Sequence, residues 1–246
     1  MGIFYIDIEF TNGNFYLGEI FEIACLSENS GYIFHSFIKI TTPIPRYIQK
    51  LCNTDTDVVY NSQPFPRVIK GLVEFIKLED STSTSPSTII GHGSYLTDFP
   101  LLITNSFTSG FDYTQLEQFI YVDSMKILQT KGYSKPGLDT MSNTHRGIHS
   151  AVYDVKLLRN VVRNFIDYDD LSLHSFTLRE IIQYIEIKMP ISIPDLYKLT
   201  LHTENILTFE TILSKYMNEK TALKEKQIRK IANKFFSKKF SNVRTH

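Results

Sequence analysis

The chain has no tryptophan, only two cysteines and no surplus of either charge. Cys25 and Cys52 stand far apart with no metal-ligand spacing. That excludes a disulfide-stapled scaffold and a thiolate metal centre, and it sets a reduced intracellular compartment, cytoplasm or nucleus, as the expectation. No apolar run approaches the ~20 residues that a membrane-spanning helix needs. The N-terminus has neither the basic flank nor the apolar stretch of a secretory signal. No internal repeat is present, which argues against solenoids and propellers.

What is present is an ordinary globular composition over 246 residues, enough for one large domain with an extension. The charge balance of 26 basic and 26 acidic residues hides an asymmetry. Residues 220–246 hold nine basic residues and one acid, leaving 17 basic against 25 acidic residues in the body. Such a tail is suited to pack on the acidic body, to meet nucleic acid, or to dock a partner or a membrane surface.

The pattern along the chain predicts an α/β fold with a mixed sheet. Residues 3–9, 17–27 and 31–40 read as three strands joined by short turns, an antiparallel meander. Pro43 and Pro45 lead into a short helix. Residues 65–77, "FPRVIKGLVEFIK", carry an apolar helical stripe. A Ser/Thr-rich loop at 78–88 precedes a short buried strand, "TIIGH". "FIYVDSMKIL" (119–128) reads as a strand running into a helix, and 149–166 as an amphipathic helix. The short stretch between Leu138 and His149 predicts a loop. Three parts are expected: a domain over 1–166, a helical extension over 167–218 and a basic amphipathic helix over 219–246.

Four acids and one histidine sit where that scaffold brings acids together. Asp7 and Glu9 share one face of the first strand, because strand side chains alternate. Asp98 lies at a candidate helix start, and Asp154 follows His149 by five residues. Hard divalent cations take oxygen ligands, and two such ions about 3.5–4 Å apart can clamp both oxygens of a phosphoryl displacement. A histidine titrates in the range required of a base that takes a proton from water.

These residues carry a resemblance. "YIDIEF" resembles the Asp-x-Glu motif of the DEDDh 3′–5′ exonucleases, a DnaQ-like group within the RNase H-like superfamily. "EIACL" (22–26) resembles the Glu-Ile-Ala stretch of their second strand, "IGHGSYLTDFPLL" (90–102) their second acidic motif, and "HSAVYDVKLL" (149–158) their final His-x₄-Asp motif. The order is the family's, and the match covers residues 3 to 165. The middle motif, with Asp98 six residues after His92 and "FPLL" following, is most similar to the three-prime repair exonucleases. Gly93 stands where the family often has Asn, and "FTNG" replaces its Thr-Gly after the glutamate.

The resemblance implies an RNase H-like mixed sheet flanked by helices. It implies Asp7, Glu9, Asp98 and Asp154 as ligands of two Mg²⁺ or Mn²⁺ ions, with Asp7 as the bridge and His149 as general base. Phe10 and Thr11, with His92, map to the pocket for the terminal nucleotide. The implied activity is 3′–5′ removal of nucleoside 5′-monophosphates from DNA or RNA with a free 3′ end. The three-prime repair relatives are dimers, so a homodimer is one implied assembly.

Singly, each residue has a plainer reading. Asp7 and Glu9 could face solvent, Asp98 and Asp154 could be acids favoured near helix N-termini, and His149 could be a cap. The joint arrangement is what those readings leave unexplained. His92 divides evenly between a structural role and substrate contact; His35, His145, His174 and His202 are read as structural, and Tyr95 and Phe99 as core. In the tail, Lys230, Lys234, Lys238 and Lys239 are candidate nucleic-acid contacts. The alternative function is a proofreading or processing subunit, or a binding module, whose basic arm docks a polymerase or other partner.

Overall fold

A computed structural model describes residues 1–14, 18–134, 136–143 and 149–188. The elements run β1 (Ile3–Phe10), β2 (Ile20–Ser27), β3 (Ile33–Lys39), α1 (Arg46–Cys52), α2 (Thr56–Tyr60), β4 (Gln63–Pro64) and α3 (Phe65–Glu79). They continue with β5 (Thr88–Gly91), α4 (Asp98–Ser109), β6 (Ile120–Asp123), α5 (Ser124–Thr130), α6 (Leu138–Ser142), α7 (Ala151–Phe165), α8 (Tyr168–Leu173), β7 (Ser175–Phe176) and α9 (Leu178–Lys188). The chain divides into a compact unit, Met1–Ile181, and a second unit, Ile182–His246. The readings for 189–246, the basic helix and its four lysines included, lie outside the described residues, as do His145 and His202.

The seven strands form one mixed sheet in the order β4-β3-β2-β1-β5-β6-β7. β1, β2 and β3 are the expected antiparallel meander, and β1, β5 and β6 run parallel. Strands at the middle of a sheet covered on both faces are buried on both faces, and β1 and β2 behave accordingly. Every residue of β2 is buried, as are Ile3 to Ile6 and Ile8 of β1. On the odd face of β1, Ile3 and Tyr5 pack with Ala24, Leu26, Ala151, Val155 and Leu158 in one core cluster, beneath α7. On the even face, Phe4 meets Phe75 of α3 edge-on, with ring centroids 6.3 Å apart. Both parities of the first strand are therefore core, and only where the odd row reaches Asp7 and Glu9 does it turn polar.

Two local departures from the sequence reading matter for the site. The helix expected over 149–166 starts at Ala151, not at 149, with Ser150 extended at the cap (φ −155°, ψ 128°). The stretch expected to be a loop opens with α6, a helix of five residues, Leu138–Ser142, and 144–148 lie outside the described residues. In addition, the ladder shifts register between Glu9 and Phe10. Glu9 faces Glu22, but Phe10 faces Ile20, so β2 carries one extra residue, Phe21. Such a bulge bends and twists the pair locally.

Candidate active site

Parallel strands collect their carboxyl ends at one edge, the usual place for ligands in open α/β sheets. Here β1 carries Asp7 and Glu9 in its carboxyl-terminal half, β5 opens into the loop that carries His92 to Asp98, and β6 ends in Asp123. The opposite wall is the start of α7.

Glu9, His149 and Asp154 converge: one ligand atom from each lies within 4.8 Å of the others. The late start of α7 makes this possible. In a continuous helix, residues five apart point about 140° away from each other at 100° per residue. With His149 ahead of the helix, its ring is free of that geometry, while Asp154 occupies the first turn and is fully buried. The backbone N–H of His149 donates to the Leu51 carbonyl (2.9 Å), and the Cys52 thiol donates to Glu9 Oε2 (3.3 Å). The C-terminal end of α1 thus touches both sides of the cluster. Asp7 shares the strand face of Glu9, one step earlier, and does not belong to the three-residue group.

Asp98 is the first residue of α4 and 8% exposed, and it also stands outside that group. Its carboxylate accepts hydrogen bonds from Ser94 Oγ (2.8 Å) and Thr97 Oγ1 (3.1 Å). Burial pushes its carboxyl up to about 6 and the nearby Asp123 adds to the rise, against the two hydroxyls, which pull it down.

Asp123 is the residue that motif reasoning missed. It caps α5 by accepting from Met125 N–H (3.0 Å) and reaches across to accept from Gly93 N–H (2.8 Å) and Tyr95 N–H (3.1 Å). One buried carboxylate therefore holds the whole loop between His92 and Asp98. The signal was available in "VDSM": an acid at a strand-to-helix junction is an N-cap candidate. Gly93 has φ +69°, the left-handed region that glycine and asparagine tolerate best, so the exchange with the family's Asn keeps the backbone shape.

His92 packs its Nδ1 against Ser124 Oγ (2.9 Å), and Ser124 Oγ in turn donates to the Gly91 carbonyl (3.0 Å). A hydroxyl has one proton, so His92 Nδ1 is the donor in that chain. Thr11 is only 2% exposed, and its hydroxyl accepts from Glu19 N–H (3.0 Å); Phe10 beside it is half-buried. Phe99 is core. Tyr95 is half-buried in a stack with Phe176 (4.5 Å between centroids), and Lys126 sits over its ring at 3.3 Å.

No family model and no curated protein matches the sequence. Solved structures do match its fold. Two structures of E. coli exonuclease I, one with a dT13 oligonucleotide and one with a 5cy-dT13 oligonucleotide, align at TM-scores of 0.53 and 0.54. The identities are 11% and 12%, over 66% and 67% of this chain. The aligned part spans 40% and 41% of exonuclease I, so this chain corresponds to about two fifths of it. A 3′-exonuclease solved in 3′-end-specific recognition of a histone mRNA stem-loop aligns at 0.49 and 16% identity, over 66% of this chain and 62% of that one. A mixed seven-stranded sheet flanked by helices is thus the fold this chain shares with the exonuclease I structures. Among the described residues no helix is long and apolar enough to cross a membrane.

Proposed function

We propose that the protein is a metal-dependent 3′–5′ exonuclease of the DEDDh type, acting on DNA or RNA with a free 3′ end. The observation that carries this reading is the convergence of Glu9, His149 and Asp154 from two distant segments onto one point at the carboxyl edge of the sheet. Oxygen donors with one imidazole suit Mg²⁺ or Mn²⁺, and Asp7, Glu9, Asp98 and Asp154 would hold two such ions. Bound there, the ions would stabilise negative charge on the attacking and leaving oxygens of a phosphodiester. His149 takes the proton of the attacking water, and its backbone bond to Leu51 fixes where the ring starts from. Attack on the terminal phosphodiester breaks the bond to the preceding 3′ oxygen and frees a nucleoside 5′-monophosphate.

Phe10, which follows the register shift at Glu9, and His92 would line the pocket of the terminal nucleotide. The Asp98 motif, with its spacing of six from His92 and its Phe-Pro-Leu-Leu continuation, supports a likeness to the three-prime repair exonucleases. The test uses oligonucleotides labelled at either end, single-stranded and duplex, DNA and RNA, with Mg²⁺ or EDTA. Shortening from the 3′ end that needs Mg²⁺ and vanishes in Asp7→Ala supports the proposal. Equal degradation by wild type and Asp7→Ala removes it.

A further inference from the structure

"EIACL" begins with a glutamate that the proposed chemistry does not use. Glu22 lies directly opposite Glu9 in the β1–β2 ladder. Opposed residues of an antiparallel pair share a face, with Cβ atoms about 4.5–5.5 Å apart, and like charges placed so destabilise the sheet. Water does not relieve this pair on the Glu22 side, since Glu22 is 4% exposed. A buried carboxylate persists only with a partner. His35 of β3 supplies one, with its Nε2 2.9 Å from Glu22 Oε1. His35 lies on the same sheet face, opposite Ala24, and Phe37, opposite Glu22, meets the imidazole edge-on at 5.2 Å. The row His35, Glu22, Glu9 therefore crosses three strands and ends at the His149–Asp154 cluster.

We infer that Glu22, aimed by His35, is a positioning residue of the metal centre. It places a second, fixed negative charge behind Glu9. That charge costs stability while the centre lacks cations and strengthens their binding when they arrive. His35 sets the direction of the carboxylate through its Nε2–H, much as outer carboxylate and imidazole partners orient metal ligands generally. The inference rests on the proposed metal site, and it goes beyond it by giving a function to a pair outside the five motif residues.

The test is Mn²⁺ binding by the full chain, measured by calorimetry without nucleic acid. Glu22→Gln, which keeps shape and removes charge, should weaken Mn²⁺ binding by about 10-fold, because it removes a negative charge close to a divalent cation. His35→Ala should weaken it as well. His35→Gln, whose side-chain amide can donate from nearly the same place, should restore it. A merely structural pair would change melting temperature and leave the affinity alone. Wild-type Mn²⁺ affinity in Glu22→Gln overturns the inference, and a His35→Gln protein as weak as His35→Ala overturns the aiming role. If the wild type binds no Mn²⁺, the metal site itself is wrong and this inference goes with it.

Discussion

Replacing Asp98 by asparagine should stabilise the ion-free protein at neutral pH. Burial and the neighbouring Asp123 raise the Asp98 carboxyl from 3.8 to about 6. The folded state therefore binds more protons than the unfolded state between those two values. Stability from this group is present below about pH 4 and is lost as pH rises through about 6. A shift of about two units corresponds to roughly 3 kcal/mol at 1.36 kcal/mol per unit. Asparagine never ionises, so Asp98→Asn escapes that cost. It exchanges one acceptor oxygen for an amide opposite Ser94 or Thr97, which gives back about 1 kcal/mol. The net gain is about 2 kcal/mol, or a rise in melting temperature of about 4–8 °C for a unit of this size. The assay is denaturation in EDTA at pH 8 and at pH 4.5. The advantage of Asp98→Asn should be large at the first pH and shrink at the second, while Mg²⁺-dependent cleavage is lost at both. An Asp98→Asn protein less stable than wild type at pH 8, or one whose advantage is the same at both pH values, would refute the reasoning.

Other consequences are sharper still in their direction. Asp123→Ala removes the acceptor of three backbone N–H groups and should cost about 3 kcal/mol in urea denaturation, since bonds to charged groups are the stronger kind. Gly93→Asn should cost only a little stability, since asparagine tolerates φ +69° and its Cβ meets the flexible end of Met125 at 3.3 Å. Gly93→Ala, at φ +69°, should lose about 1 kcal/mol, so equal stability of the two would contradict the left-handed geometry. Cys52→Ala should raise the Mn²⁺ concentration needed for half-saturation, and Cys52→Ser, which keeps a donor to Glu9, should not. Asp154→Asn should abolish cleavage while the circular dichroism spectrum stays that of the wild type.

Much of the architecture was legible because it is written in short periods. The alternation of "FYIDIEF" put Asp7 and Glu9 on one face, and the meander of the first three strands followed from three strand-like runs joined by short turns. The stripes of α3 and α7 followed from 3.6-residue periodicity. The edge strands β4 and β7 were not legible, since two residues carry no period; their existence depends on a neighbour offering free backbone groups. The helix start at Ala151 was missed because the apolar pattern runs smoothly through His149, and it is Leu51, far away in sequence, that accepts its N–H.

By itself, then, the sequence determined the strand and helix types, the shared face of the first two acids and the order of the motifs, all of which depend on neighbours within a few residues. Only the tertiary structure decided that His149 and Asp154 meet Glu9, because that requires α7 to pack across β1 and β2. It alone decided that Asp98 is buried enough to hold its proton to about pH 6, since desolvation is set by surrounding segments and not by the motif. The same holds for the opposition of Glu22 and Glu9. Strand register, fixed by the packing of both sheet faces, turns two unrelated glutamates into facing charges.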